Sequence, residues 1–164
     1  MEGAEDGKIK LVSHDQETIE VEKSVAIQSV LIKSMLEDAG EDEDIPVPNV
    51  SSAVLNKILE FCRHVRDTGP CPEIEKPLRS ANIHDVIEKW YADYIDVDQE
   101  MLMEIMMAAN YLDIRSLLEL SCAKLASKLK GKTPQQLREE FHLENDFTPE
   151  EEAKLMEENK WALE

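Results

Sequence analysis

The chain has 164 residues, which is enough for one domain with a buried core and a short extension. It carries 36 acidic and 18 basic side chains, giving a formal net charge of −18. Because such a field repels nucleic-acid phosphates and anionic lipid surfaces, we expect neither nucleic-acid nor membrane binding.

The start of the chain predicts no targeting segment. Met1-Glu2-Gly3 is not followed by a basic flank and an apolar run, and no stretch reaches the ~18 consecutive apolar residues of a membrane span. Cys62, Cys71 and Cys122 are odd in number and widely spaced. We therefore expect a soluble intracellular chain with reduced thiols.

The first elements predict a β-hairpin followed by two short helices. Residues 8–12 and 18–21 alternate apolar and polar side chains, as paired strands do. Residues 25–28 and 29–37 have helical spacing. The residues expected to face inward are Ile9, Leu11, Ile19, Val21, Val30, Ile32, Met35 and Leu36.

An acidic loop, a short strand and a capped helix follow. Residues 40–44 lack the alternating ligands of a calcium loop, so we interpret them as a solvated loop. Residues 45–48 contain two prolines and predict an edge strand. Ser51 or Ser52 predicts the N-cap of a helix. Its inward residues are Leu55, Ile58, Leu59 and Cys62.

The middle of the chain predicts a linker and then another helix. Residues 67–82 contain Gly69, Pro70, Pro72 and Pro77, which favour a linker without chemistry of its own. Residues 83–95 return to helical spacing. The residues that carry this spacing are Val86, Ile87, Trp90, Tyr91 and Tyr94.

Residues 101–129 contain two adjacent helical patterns with a break at Asp113. The first is apolar on nearly every side, which predicts burial in the core, against a partner, or both. Its methionines at 101, 103, 106 and 107 fit either core filler or an adaptable binding groove. The second has an apolar stripe and ends at Gly131, a predicted C-cap. The stripe consists of Leu118, Cys122, Leu125 and Leu129. This surplus of apolar surface indicates a protein-binding function.

The tail contains two helix starts. Thr133-Pro134 and Thr148-Pro149 each place a capping threonine before a proline, with Gln136 or Glu151 completing a capping box. Residues 139–164 carry ten acidic and two basic side chains with few apolar anchors. We expect this segment to pack on the preceding helices or to become ordered on a partner.

The sequence contains no catalytic or metal-binding constellation. Gly131-Lys132-Thr133 imitates the end of a phosphate-binding loop, but Ala126 stands where that loop requires glycine. No CxxC pair, HExxH motif or nucleophile elbow occurs. We therefore expect no metal, no cofactor and no enzymatic activity.

Five motifs are long enough to be specific: SVLIKSMLED, IPVPNV, AANYLDI, GKTPQQLREEF and NDFTPEEE. They resemble the S-phase kinase-associated protein one family, the adaptors of the cullin–RING ubiquitin ligases called SCF complexes, and the likeness spans residues 8–161. The resemblance implies a mostly helical α/β fold. It comprises a BTB/POZ-type domain with a small sheet (residues 1–130, including the linker) and two C-terminal helices (131–164).

The resemblance also implies partners and site residues. A non-catalytic adaptor of the cytoplasm and nucleus would bridge the amino-terminal region of a cullin to F-box substrate receptors. Asn110 and Tyr111 fall at the cullin contact. The residues that fall at the F-box are Leu102, Met106, Leu118, Cys122, Leu125, Phe141, Phe147 and Trp161. Pro149 becomes a candidate for hydroxylation and glycosylation, although a helix-start proline also accounts for it.

Some alternatives stay open. Residues 103–107 (MEIMM) depart from the family's usual FELIL, which bears on F-box preference. An elongin C-type adaptor would match residues 8–112 but would lack the helices of residues 133–161. A structural F-box-binding subunit of a kinetochore or another non-ligase assembly is a further alternative. The sequence also leaves open a homodimer of the free chain.

Overall fold

The alternating segments near the start of the chain form a small sheet in a computed structural model, which describes residues 6–163. Strand β1 (Lys8–Val12) pairs antiparallel with β2 (Thr18–Glu22) and parallel with β3 (Ile45–Pro46), in the order β2-β1-β3. Ile9 lies opposite Val21 and Leu11 opposite Ile19. The predicted hairpin, its inward residues and the edge strand are therefore confirmed.

Helices surround this sheet and build the core of the first compact unit, Met1–Lys130. They are α1 (Lys23–Ala26), α2 (Val30–Ala39), α3 (Ser52–Thr68), α4 (Lys89–Tyr94), α5 (Gln99–Leu112) and α6 (Arg115–Leu129), with a 3-10 turn at Ile83–Asp85. Side chains of α3 and α5, among them Leu55, Phe61 and Ile105, are completely buried. These two helices therefore provide the centre to which the other elements attach.

Side-chain caps begin two of the long helices, and the cap at Ser51 is one that the sequence predicts. The Ser51 side chain accepts a hydrogen bond from the Val54 amide, and the Asp98 side chain accepts one from Met101. At the predicted break, Asp113 adopts a left-handed conformation (φ 54°) that ends α5. Such a short polar side chain tolerates this conformation better than most residues do. Individual residues thus set where these helices begin and end.

The single helix predicted over residues 83–95 is wrong, because hydrogen bonds hold a turn in its place. The Arg79 guanidinium donates from Nε to the Asp85 carbonyl oxygen at 2.8 Å, and the Ser80 hydroxyl donates to the Asp85 carboxylate at 2.9 Å. Glu88 is extended (ψ 147°), so the helix starts again only at Lys89. The apolar residues on both sides of this break still face the core, since Ile83, Ile87 and Tyr91 are buried.

A carboxylate joins the β1–β2 turn to the start of α3. Asp15 accepts hydrogen bonds from the Ser52 hydroxyl at 2.5 Å, the Ser13 hydroxyl at 2.7 Å and the Ser52 amide at 2.8 Å. These hydrogen bonds, that of the Ser52 hydroxyl first, hold the pKa of Asp15 far below its usual range. Since hydrogen bonding to the ionised form lowers a pKa, the folded state favours the carboxylate.

Asp15→Asn is expected to lower the free energy of unfolding at neutral pH. It should also make that free energy fall less steeply as the pH drops into the acid range. A carboxylate with a depressed folded pKa stabilises the fold above its unfolded pKa of about 4, and this contribution disappears as the pH falls through the folded value. Urea unfolding at pH 7 and at pH 3 measures both effects. Asp42→Asn, in the exposed acidic loop, is the control. Equal unfolding midpoints for the two variants at pH 7 would contradict the prediction.

The second compact unit, Gly131–Glu164, consists of short helices. They are α7 (Pro134–Glu140), α8 (Pro149–Glu158) and α9 (Lys160–Leu163). Both predicted capping boxes are confirmed: Thr133 pairs with Gln136, and Thr148 with Glu151. Gly131, which precedes α7, has a positive φ of 76°, as expected for the glycine after a helix.

Candidate protein-binding surfaces

Helix α5 divides its apolar residues between the core and the surface. Its buried side consists of Leu102, Ile105, Ala108, Ala109 and Leu112. The methionines lie on the other sides: Met101 and Met106 are half-buried, whereas Met103 and Met107 are exposed. With 70% of its surface exposed, Met107 is not core filler. The surplus apolar surface predicted from the sequence therefore exists, and flexible methionines provide it.

One predicted F-box contact needs correction. Leu102 is 0% exposed and lies inside the core cluster, so it has no surface to offer a partner. It supports α5 from within. Met106, one helical turn further, remains half-buried and accessible. In a helix that is apolar all round, the sequence pattern does not distinguish these two positions.

Two hydrogen bonds join the C-terminal end of α5 to the start of α2. The Ser29 hydroxyl donates to the Leu112 carbonyl oxygen at 2.5 Å, and the Val30 amide donates to the Asp113 carbonyl oxygen at 3.4 Å. Beside this junction Asn110 is exposed and Tyr111 is half-buried. The predicted cullin-contact residues thus lie next to the start of α2, although 80 residues separate them from it in the sequence.

The prediction that Val30 faces inward is wrong, since 56% of its surface is exposed. Ser29 caps α2 by accepting from the Ile32 amide while it is tied to α5. This anchor turns Ile32 and Leu36 into the core and leaves Val30 outside. We call the surface of Val30, Asn110 and Tyr111 the α2–α5 corner. Helical spacing already signals this exposure, because Val30 and Ile32 are two positions apart and do not face the same side of a helix.

Helix α6 presents a second accessible surface. Its buried side includes Leu117, Leu120 and Ser121, and the Ser121 hydroxyl donates back to the Leu117 carbonyl oxygen at 2.9 Å. The predicted stripe lies outside this contact: Leu118 and Leu125 are half-buried, while Cys122 and Leu129 are exposed. We call these four residues the α6 stripe. They combine apolar surface with access, as a binding surface requires.

The three cysteines differ in their environment. Burial raises the pKa of the Cys62 thiol to about 12 and that of the Cys71 thiol to about 11. Cys122 is exposed on the α6 stripe, and all three thiols are free. Since the thiolate is the reactive form, reagents at neutral pH should modify Cys122 first.

The second unit also exposes its apolar side chains. Phe141 is half-buried, whereas Phe147 and Trp161 are exposed, Trp161 by 78%. Arg138 donates to Glu152 at 2.8 Å, and this hydrogen bond lowers the pKa of the Glu152 carboxyl group. Neither α7 nor α8 contains a buried residue. The predicted tail contacts are therefore accessible, but little packing holds them.

Amide hydrogen exchange tests how this tail depends on a partner. In the free chain, residues 155–161 should exchange rapidly, because they are all exposed and short helices with little packing open at little free-energy cost. An F-box fragment should slow their exchange. Residues 58–62 of α3, which are mostly buried, are the internal control and should stay protected throughout. Strong protection of residues 155–161 without a partner would refute the prediction.

Pro149 occupies the first turn of α8, directly after its capping threonine. This position suits proline because the first amide of a helix has no intrahelical acceptor. The helix start accounts for the residue on physical grounds. Hydroxylation or glycosylation of Pro149 stays a prediction.

The part of the chain that the structure describes contains neither a metal-binding cluster nor a helix suited to a membrane. Within residues 6–163, no group of three or more His, Cys, Asp or Glu side chains is placed to hold a metal ion. No helix in this range is long and apolar enough to cross a membrane.

The small sheet, the surrounding helices and the exposed apolar surfaces define a POZ-type protein-binding domain with a helical extension. Residues 7–67 match the family model described as Skp1 family, tetramerisation domain, and residues 115–162 match that described as Skp1 family, dimerisation domain. The chain belongs to the Skp1 family. The BTB/POZ-type fold expected from the resemblance is confirmed.

Relatives match over nearly the whole chain. The S-phase kinase-associated protein 1 homolog of Tetrahymena thermophila is 52% identical over 96% of this chain and 95% of its own length. The E3 ubiquitin ligase complex SCF subunit sconC of Talaromyces stipitatus is 45% identical over 95% of this chain and 97% of its own. Suppressor of kinetochore protein 1 of Schizosaccharomyces pombe is 48% identical over 94% of this chain and 97% of its own length.

Proposed function

We propose that this chain is a non-catalytic adaptor subunit of an SCF ubiquitin ligase. Its membership of the Skp1 family and its similarity to proteins named as SCF subunits support this role. The observation that carries the adaptor function is the presence of two distinct accessible surfaces in the first unit, the α2–α5 corner and the α6 stripe. An adaptor needs two such surfaces because it must hold two partners at once.

The α2–α5 corner is the proposed site for the amino-terminal region of a cullin. It combines an aromatic residue, Tyr111, with an exposed amide, Asn110, and an exposed aliphatic side chain, Val30. Tyrosine is enriched at the energetic centres of interfaces. The hydrogen bonds of Ser29 and Val30 to the end of α5 fix the surface before binding. Preorganisation of this kind lowers the entropic cost of association.

The α6 stripe is the proposed site for the F-box of a substrate receptor. Leu118, Cys122 and Leu125 present apolar surface at helical spacing, which suits an amphipathic partner helix. Met106 on α5 offers a flexible apolar side chain for the same partner. In the second unit, Phe141, Phe147 and Trp161 are proposed to contact the F-box as well. Leu102 is left out because it is buried.

Reconstitution from purified components tests the adaptor function. A cullin amino-terminal fragment and an F-box fragment should enter one complex only when this chain is present. Size-exclusion chromatography with light scattering measures the mass and thus the composition of each complex. Direct cullin–F-box association without the chain, or competition of the two fragments for it, would contradict the proposal. The masses also show whether the free chain forms the homodimer that we left open.

A structural role outside ubiquitin ligation is the second candidate. It is favoured by one observation, the similarity to a relative named Suppressor of kinetochore protein 1. Such a role would use the F-box surface without a cullin. An elongin C-type adaptor is disfavoured, because residues 115–162 match the Skp1 family dimerisation domain. Affinity purification from cells, read for cullins and F-box proteins in separate cytoplasmic and nuclear fractions, distinguishes these roles and tests both expected locations.

A further inference from the structure

The segment predicted to be an inert linker forms one wall of a groove in the first unit. The groove has a volume of about 600 Å³ and runs between residues 74–78 and the outer side of α6. Its apolar lining consists of Ile74, Pro77, Leu78, Leu118, Cys122, Ala123 and Ala126. It therefore shares Leu118 and Cys122 with the α6 stripe, so the two surfaces are continuous.

Specific contacts fix this wall at both ends. Ile74 is buried in the core cluster, and Leu78 packs against that cluster. Directly after Leu78, the Arg79 guanidinium donates to the Asp85 carbonyl oxygen. A segment anchored on both sides loses little conformational entropy when a partner binds to it. Residues 74–78 are thus held in a fixed position on the surface.

The charge around the groove is opposite to that of the chain. Lys76, Arg115 and Lys130 line it together with one acidic residue, Glu119, so cations outnumber anions in a molecule of net charge −18. Glu119 already lies 3.8 Å from both the Lys76 amine and the Arg115 guanidinium. The remaining positive charge favours an occupant that carries carboxylates beside its apolar side chains.

We propose that residues 74–78 and α6 receive a flank of the F-box subunit, an amphipathic segment with apolar anchors and acidic neighbours. The inference rests on the proposed F-box-binding function and extends it. The α6 stripe holds the F-box itself, while the adjoining groove selects among receptors by the residues next to the F-box. Specificity of this kind arises from a difference in affinity between partners that share one binding helix.

A charge reversal at Lys76 tests the groove without disturbing the fold. The Lys76 side chain is 70% exposed, so Lys76→Glu should leave the melting temperature unchanged. Lys10→Glu, on an exposed position of β1 away from the groove, makes the same charge change and is the matched control. Two probes are titrated against both variants of the full chain: an F-box fragment with acidic and apolar flanks, and the same fragment with its flanks removed.

Lys76→Glu should weaken binding of the flanked fragment about threefold to tenfold relative to Lys10→Glu, with a smaller difference at high salt. The trimmed fragment should bind both variants equally. Equal binding of the flanked fragment by the two variants would overturn the inference. Failure of the wild-type chain to bind either fragment would instead overturn the proposed F-box function.

Discussion

Leu125→Glu is expected to weaken F-box binding strongly while leaving cullin binding intact. Leu125 is half-buried in the α6 stripe, where a partner would cover the rest of its side chain. A carboxylate at this position would lose its hydration on binding without gaining a partner. The cost should be on the order of 3 kcal/mol, roughly a hundredfold in affinity.

Titration of the variant with an F-box fragment and with a cullin fragment measures this effect. Part of Leu125 already packs against the core, so thermal melts must accompany the titrations. Leu125→Met, which keeps a flexible apolar side chain of similar volume, is the matched control and should bind both fragments. If Leu125→Glu lost both partners together with a large fall in melting temperature, the residue would be part of the core and the stripe would be misassigned.

Local signals made much of the fold predictable. The capping side chains of Ser51, Thr133 and Thr148 each act on the amide three residues away, so their role is encoded in a few consecutive residues. Alternation in β1 and β2 likewise fixed the inward side of the hairpin. Predictions that depended on such short-range chemistry were confirmed.

Two failed predictions, the inward orientation of Val30 and the single helix over residues 83–95, have different physical reasons. The orientation of α2 depends on the hydrogen bond from Ser29 to Leu112, which joins residues 83 apart in the sequence. Val30 and Ile32 are two positions apart and therefore do not face the same side of a helix, so helical spacing itself agrees with the exposure of Val30, although it contains no information about this anchor. Residues 83–95 are a different case, because Arg79 and Ser80, which lie just before the predicted helix, hold the Asp85 turn. There, hydrogen bonds from outside the predicted helix overrode its apolar periodicity.

The candidate surfaces were only partly predictable. The sequence showed more apolar surface on α5 and α6 than one core needs, and exposed Met107 and Cys122 agree with that surplus. It could not show that Leu102 faces inward, because every side of α5 offers apolar residues. Nor could it show that Ile74 and Leu78 pack against the core, since two apolar residues among prolines make no periodic pattern. The apolar surplus indicated a protein-binding function, but only the fold shows which sides of the helices are accessible.

Tyr111→Ala is expected to weaken cullin binding about thirtyfold, a loss of roughly 2 kcal/mol, while F-box binding stays nearly unchanged. Tyr111 is half-buried at the α2–α5 corner beside exposed Asn110 and Val30. Its ring combines a large apolar area with a polar tip and few rotatable bonds, so it contributes contact area at low entropic cost. Truncation removes this area from the proposed cullin surface and leaves the α6 stripe unaltered.

Because part of the Tyr111 ring is buried, the experiment must separate lost binding from lost stability. Because Tyr111 also packs against the core cluster, Tyr111→Ala should lower the melting temperature moderately. Tyr111→Phe retains that packing and removes only the hydroxyl group, so it should keep both the melting temperature and most of the cullin affinity. Leu125→Glu supplies the reciprocal pattern. If the two surfaces are separable, Tyr111→Ala should lose cullin binding and Leu125→Glu should lose F-box binding. If Tyr111 instead has only a structural role, Tyr111→Ala should lose both partners in proportion to its loss of stability.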